Sequence, residues 1–425
     1  MARVGKTGPS QSNCSMQKPA HIVRLIWLAL LALSLAGCGG LGSISMGDLF
    51  STGDAPEPGQ QQTPAPDIAA IQNPGDPKVA FLLPLGIRGN ASDVARALKE
   101  AGEMALVESG SPGITLVTKD TLGTPEGARI AAQAALNEGA ELIVGPLFAG
   151  SVQAIGPVAQ SRNVPVMAFS TSSAAAGNGV FLISFLPEQD VANIVRFSVQ
   201  SGQSRFAALI PETAYGGIVE RALRQELQSK GGQLVAVQRY RRTPQGAAQA
   251  ATQIAASLKD AAVGADTLLI AEGGEMLRAL GNALTAAGVN PQVTKIVGTS
   301  LWDDAATSSV DIAVGGWYPG VSPELTNAFN ARFRQSYGRD PKRIASLAYD
   351  AVSLAIALGR QNAQRPSGQK FPVQSLTNSQ GFQGSNGLFR FLADGRNQRG
   401  LSILEVTRQG PRVAAPAPST FGAGF

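Results

Sequence analysis

The sequence predicts an α/β protein of two lobes, each a parallel, doubly wound sheet with helices on both faces. Three observations carry this expectation. Short, continuously apolar runs alternate with longer runs of helical spacing, the pattern of strands buried on both faces. The alternation forms two series that meet near Pro187, and two series imply two lobes. At 425 residues, 44% hydrophobic and 15% charged, the chain is long enough for two cores.

In chain order, residues 1–37 read as a secretory leader. Arg3, Lys6, Lys18 and Arg24 precede an apolar core, Leu25–Leu35, that is too short to span a bilayer. No acid precedes Cys38, and beyond it Lys plus Arg nearly balance Asp plus Glu. The formal charge of +5 therefore belongs to the leader and argues against nucleic acid as a partner. The segment Leu35-Ala36-Gly37-Cys38 resembles the lipobox of bacterial lipoproteins. That resemblance implies cleavage before Cys38, its acylation, and a membrane anchor. Gly39, where an aspartate would favour inner-membrane retention, tilts the expectation toward the outer membrane. Cleavage also removes Cys14 and His21, the only histidine. The exported chain then lacks Ser-His-Asp and Cys-His catalysis and any zinc site of His or Cys. We expect no enzyme, no metal and no cofactor.

Residues 38–77 read as a flexible tether, with Pro56, Pro58, Pro64, Pro66, Pro74 and Pro77 and the run Gln60-Gln61-Gln62. "KVAFLLPL" (78–85) opens the first series as a buried strand, followed by a helix over Asp93–Glu108. "ITLVTKD" (114–120) precedes a helix with Pro125 in its first turn and Gly139 after its end. The strands "ELIVGPL" (141–147) and "VPVMAFS" (164–170) flank a helix around Ser151–Gln160. In the second series, helices over Pro187–Gln200, Ile218–Lys230, to Lys259 and to Ala287 alternate with strands at 205–211, 233–240, 266–271 and 295–300. Helices Glu324–Tyr337 and Ile344–Arg360 follow, then a hairpin over 388–406 with Asp394-Gly395 as its turn. The expected division is 78–186 plus about 313–380 for lobe 1, and 187–312 plus about 381–412 for lobe 2. Residues 413–425 are expected to form a flexible tail.

Ligands of open α/β sheets bind beyond the carboxyl ends of the strands. In lobe 1 this singles out "GPLFAGS", where Gly145 and Ser151 offer an amide and a hydroxyl near a helix start, and "STSS", Ser170, Thr171, Ser172 and Ser173. Hydroxyls and amides at helix starts suit a carboxylate or other small anion, and they equally suit plain capping. In lobe 2, Tyr215 is placed to cover an entering ligand, and Glu272 and Asp303 to pair with a cation. Trp302, Trp317 and Tyr318 read as packing residues. Ser367–Lys370 matches S-x-x-K but sits among helix breakers, so it carries no catalytic meaning. "RYRR" (239–242) reads as a solvated turn.

The stretch "KDTLGTPEGARIAAQAALNEGAELIVGPLFAGSVQAIGPVAQSRNVPVMAFSTSS" resembles the first lobe of type I periplasmic binding proteins of the leucine/isoleucine/valine-binding branch. "AYGGIVERALRQEL", "SLAYDAVSLAIAL" and "FRFLADGRNQRG" resemble the second-lobe entry, the closing helix and the hairpin. The resemblance covers about residues 78–410. It implies two lobes joined by a three-crossover hinge that closes on a ligand. It also implies a carboxylate-binding hydroxyl at Ser173 and a covering tyrosine at Tyr215. Ala149 stands where a serine is common and Ser300 where an acid is common. The opening "VAFLLPL" resembles penicillin-binding protein activators, lipoproteins that stimulate peptidoglycan synthases. With the lipobox and tether, this favours an activator that reaches a penicillin-binding protein through effective concentration. The alternative is the substrate-binding protein of an ABC transporter, delivering amino acids or related small solutes to a permease. Cys38→Ala is expected to abolish incorporation of labelled fatty acid, and label entering the mutant would refute the anchor.

Overall fold

A computed structural model describes residues 68–422. The leader, Cys38, the tether up to residue 67 and the last three residues lie outside the described residues. The first sheet is parallel, with strands β1 (Lys78–Leu83), β2 (Thr115–Asp120), β3 (Ala140–Val144), β4 (Val166–Ala168) and β5 (Val180–Leu182) in the order β2-β1-β3-β4-β5. Helices α1 (Asn90–Ser109), α2 (Pro125–Asn137) and α3 (Ala149–Gln160) connect the strands. The second lobe opens with α4 (Pro187–Gln200) and continues β6 (Arg205–Pro211), α5 (Ala214–Lys230), β7 (Gln233–Tyr240), α6 (Pro244–Lys259), β8 (Thr267–Ile270), α7 (Gly274–Ala286) and β9 (Lys295–Gly298). After β10 (Trp317–Gly320) come α8 (Pro323–Tyr337) and α9 (Ala345–Gln361), and then the short α10 (Val373–Leu376). A small antiparallel sheet, β11 (Phe382–Gly384), β12 (Gly387–Phe391) and β13 (Asn397–Arg399), follows. Strands β14 (Ser402–Thr407) and β15 (Gly410–Ala415) complete the second sheet, in the order β15-β14-β10-β9-β8-β6-β7.

The continuous apolar strands bury both faces because successive side chains point to opposite sides. Val79, Phe81 and Leu83 of β1 join one core with α1, α9 and β12. Ala80 and Leu82 join another with Ala128 and Ala132 of α2 and Val152 and Ile155 of α3. In β6, Ala207 and Leu209 face α6 and α7, while Phe206, Ala208 and Ile210 face α4 and α5. Fully burying a ring such as Phe81 contributes about 2–3 kcal/mol. Three helices start alike. Thr124, Thr213 and Thr243 each cap the N–H of the glycine three residues on, Gly127, Gly216 and Gly246. A Cβ on any of these glycines would lie 2.0–2.3 Å from the carbonyl oxygen of a residue two or three before the capping threonine, at Thr121, Pro211 and Arg241. The T-x-x-G spacing thus packs helix starts against strand ends.

The chain crosses between lobes at residues 183–186, 321–322 and 400–401, which departs from the expected division. Trp317–Gly320, assigned to lobe 1 by pattern, pairs with β9 and β14 in the second sheet. Phe382–Arg399, assigned to lobe 2, packs Phe389 and Phe391 into the first-lobe core. The hairpin itself forms as expected, with Gly395 at φ 82°, but β14 leaves it for the other sheet. Two further segments differ. Residues 68–77, read as tether, dock on edge strand β2: Leu116 N–H donates to Gln72 Oε1, and Thr115 Oγ1 donates to Asn73 O at 2.9 Å. This covers an otherwise open strand edge. The tail, expected to be flexible from 413, forms β15 through Ala415. Ala417 N–H then donates to Ser402 Oγ at 3.1 Å, and the Phe421 ring lies 4.4 Å from the Arg390 guanidinium. The tail's Ala and Pro content suggests no core, whereas its backbone pairs with β14.

Asn397 Nδ2 donates to Leu182 O and Ser184 O, both at 2.7 Å and buried. Asn397→Leu leaves both carbonyls without this donor and is expected to lower unfolding stability by about 2–4 kcal/mol. A urea midpoint equal to that of the unmutated chain would contradict this role.

Candidate functional site

The carboxyl ends of the first sheet carry a polar floor and an apolar rim. Asp120, at the end of β2, accepts from the N–H groups of Leu85 and Leu122 at 2.9 and 2.8 Å. It holds two loops in place and is not available to a ligand through that oxygen. Leu122 is held at φ 53° and is 58% exposed, an unfavourable conformation for a leucine. Ile87 and Phe148 close over the neighbouring Gly123.

Helix α3 begins at Phe148 with no side-chain cap and no acid in its first turn. Its first free N–H groups and positive dipole end are therefore unclaimed by a side chain. The Oγ atoms of Ser151, in that turn, and Ser173, after β4, are buried and make no protein hydrogen bond. Ser170 Oγ accepts from Ser172 N–H at 3.1 Å, so this serine does cap its own loop. Thr171 and Ser172 are partly exposed beside it. Gly145 does not serve as a donor. Its N–H is spent on Met167 O at 2.7 Å, and a Cβ there would lie 2.2 Å from Leu82 O. The glycine is required by the close approach of β1, not by a ligand.

At the second sheet, the Tyr215 hydroxyl pairs with Thr299 Oγ1 at 2.7 Å. Burial first, and the Asp190 charge second, push its pKa well above the ordinary tyrosine range. Glu272 is buried and accepts from Tyr240 Oη at 3.1 Å and Arg242 Nε at 2.9 Å. Asp303 accepts from Arg343 Nε at 3.2 Å. Both carboxylates are thus paired with an arginine of the same chain. "RYRR" is accordingly no solvated turn: Arg239 pairs with Glu220, Arg242 with Glu272, and Tyr240 is buried. Trp302 and Tyr318 are buried packing residues, and Trp317 lies edge-on to Phe197. Ser367–Lys370 lies in a loop. Among the described residues, no group of three or more His, Cys, Asp or Glu is arranged to hold a metal, and no helix is long and apolar enough to cross a membrane.

Sequence reasoning missed Asp190 and Arg343. Asp190 is 3% exposed, in the first turns of α4. Its Oδ2 accepts from Ser300 N–H at 3.0 Å, while Oδ1 is buried without a partner. Burial pushes its carboxyl up to about 6, against the pull of Ser300 and Arg343 and with the repulsion of Asp303. One signal was present. Asp190 falls on the stripe of Val191, Ile194, Val195 and Ser198, the face α4 buries. Nothing in the sequence near Arg343 marks it.

Residues 77–411 match the family model described as "Periplasmic binding protein". The chain belongs to the periplasmic binding protein family. That membership implies a periplasmic location, and the two-lobed parallel architecture is the type I form of the fold. Among solved structures, this binding protein is similar to a putative branched-chain amino acid ABC transporter protein from Rhodospirillum rubrum. The two are 18% identical over 80% of this chain and 99% of that one, with a TM-score of 0.69. A solute binding protein from R. palustris in complex with 4-hydroxybenzoate is 17% identical over 81% and 97%, with a TM-score of 0.61. A leucine binding protein from Thermotoga maritima is 18% identical over 80% and 98%, with a TM-score of 0.58. No match is found among curated proteins.

The raised Asp190 carboxyl has a measurable consequence. An acid whose folded pKa exceeds its unfolded value of 3.8 costs stability as pH rises from near 4 through about 6. Asp190→Asn keeps an acceptor for Ser300 N–H and removes this cost. The variant is expected to melt closer to the unmutated chain at pH 4.5 and relatively higher at pH 8. Parallel melting curves across that range would contradict the assignment.

Proposed function

We propose that this chain is the solute-binding component of an ABC importer, held at the membrane by lipid on Cys38 and partnered with a permease. It takes a small organic carboxylate between its lobes and performs no catalysis. The observation that supports the ligand class is the pair of buried, partnerless hydroxyls, Ser151 and Ser173, beside the uncapped start of α3. Donors left unsatisfied in a buried site cost about 1–3 kcal/mol each, which an anionic ligand offsets. The rim of Ile87, Leu122 and Phe148 suits an apolar body. Glu272 and Asp303 are engaged by Arg242 and Arg343, so neither favours a ligand ammonium. A carboxylate without an amino group fits better than a free amino acid, and a relative of this fold holds 4-hydroxybenzoate.

The activator role favoured by the lipobox, the tether and "VAFLLPL" gives way here, because similar solved structures are described as ABC transporter proteins. The test is a thermal-shift screen with benzoate, 4-hydroxybenzoate, branched-chain 2-oxo acids and amino acids. At one hundred times Kd a ligand adds about 2.7 kcal/mol. We expect a shift with at least one carboxylate that Ser173→Ala and Ser151→Ala each reduce. A shift with leucine and none with its deaminated analogue would overturn the ligand class. No shift with any solute, together with capture of a peptidoglycan synthase, would overturn the transport reading.

A further inference from the structure

Arg343 precedes α9 in lobe 1, and its guanidinium reaches across to Asp303, in the loop after β9 in lobe 2. This ion pair therefore spans the hinge. It uses only Nε of the guanidinium. Nη2 is buried and has no hydrogen-bond partner. On the facing lobe, Asp190 has the complementary deficit, a buried Oδ1 with no partner. The two groups already attract one another, since Arg343 favours the ionised form of Asp190. The guanidinium also lies 4.7 Å from the ring of Phe185, in the first crossing, which limits its travel. A buried donor and a buried acceptor of opposite charge, each unsatisfied and on opposite lobes, form an incomplete pair.

We propose that Arg343 is an interlobe latch shared by Asp303 and Asp190. In the arrangement described it holds Asp303. A small rotation of the lobes brings Nη2 onto Asp190 Oδ1, completes both ion pairs and stabilises the closed form. The groups that face Asp190 are Ser300 from the loop after β9, Tyr215 from α5, Arg343 from the segment before α9, and Asp303. Burial holds the Tyr215 hydroxyl neutral, and acidification through pH 6 neutralises the Asp190 arm of the latch. Opening is then favoured at acid pH and closure at neutral pH, whatever ligand the protein takes.

The experiment measures distances between spin labels at Ile130→Cys on α2 and Gln228→Cys on α5, in the full chain with Cys14→Ser and Cys38→Ser. The unmutated latch is expected to show a longer, broader distribution at pH 5 than at pH 7.5. Arg343→Gln is expected to show the longer distribution at both, and Arg343→Lys to restore part of the difference. Asp190→Asn is expected to be fixed at the acid-like distribution and to lose the pH response. Distributions that do not change between pH 5 and 7.5, or a response that survives Asp190→Asn, would overturn the proposal. Should Arg343→Gln not fold, the Asp190→Asn comparison decides alone.

Discussion

The first crossing between the lobes is held by four hydrogen bonds at the hinge. Asn397 donates to the carbonyls of Leu182 and Ser184, and Arg399 donates to those of Ile183 and Ser184. These carbonyls belong to a chain leaving a parallel sheet, where no neighbouring strand remains to pair with them. Without the donors they would be buried and unsatisfied. The arginine needs its own compensation. Burial pulls its pKa down to about 10, with Asp350 opposing that shift from 4.0 Å, so it stays charged at neutral pH. Asp350 in turn accepts from Ser385 and Asn386, which fastens the small sheet to α9. Taking one partner out of such a cluster strands a buried charge, so the crossings are held together as a unit.

The same logic separates structural from available polar groups in the site. Four of the positions that the sequence singled out are committed within the chain: the Gly145 amide to Met167, Ser170 to its own loop, Glu272 to Arg242 and Asp303 to Arg343. Ser151 and Ser173 are not. The hydroxyls left over lie on lobe 1, whereas on lobe 2 Glu272 and Asp303 are spent on arginines and Asp190 keeps one unpartnered oxygen. Tyr215, at the start of α5, has its hydroxyl tied to Thr299.

Much of the architecture was legible because its signals are local. The helix α4 matches its expected span, Pro187–Gln200, since proline opens it and the buried stripe runs its length. The alternation of apolar runs and amphipathic helices was enough for two doubly wound lobes. The short strands β5, β10 and β11 were not read, because three or four residues carry no period of their own. The docking of residues 68–77 and of the tail combines backbone pairing with single side-chain contacts, from Gln72 and Thr115 and from Ser402 and Phe421, that no local period announces.

What the sequence by itself determined, then, is the alternation of the longer strands and helices, the covering of each sheet on both faces, the capping of helix starts and the absence of histidine beyond the leader. Those follow from side-chain period, local caps and composition, which act over a few residues. Only the tertiary structure decided where the chain crosses between lobes, and which carboxylates are spent and which hydroxyls are free. It alone placed Asp190 opposite Arg343. Those outcomes hang on contacts between residues in different elements, from Glu272 with Arg242 to Asp190 with Ser300 and Arg399 with Ile183. Which polar groups remain unpaired is a property of the whole packing and is written in no single segment.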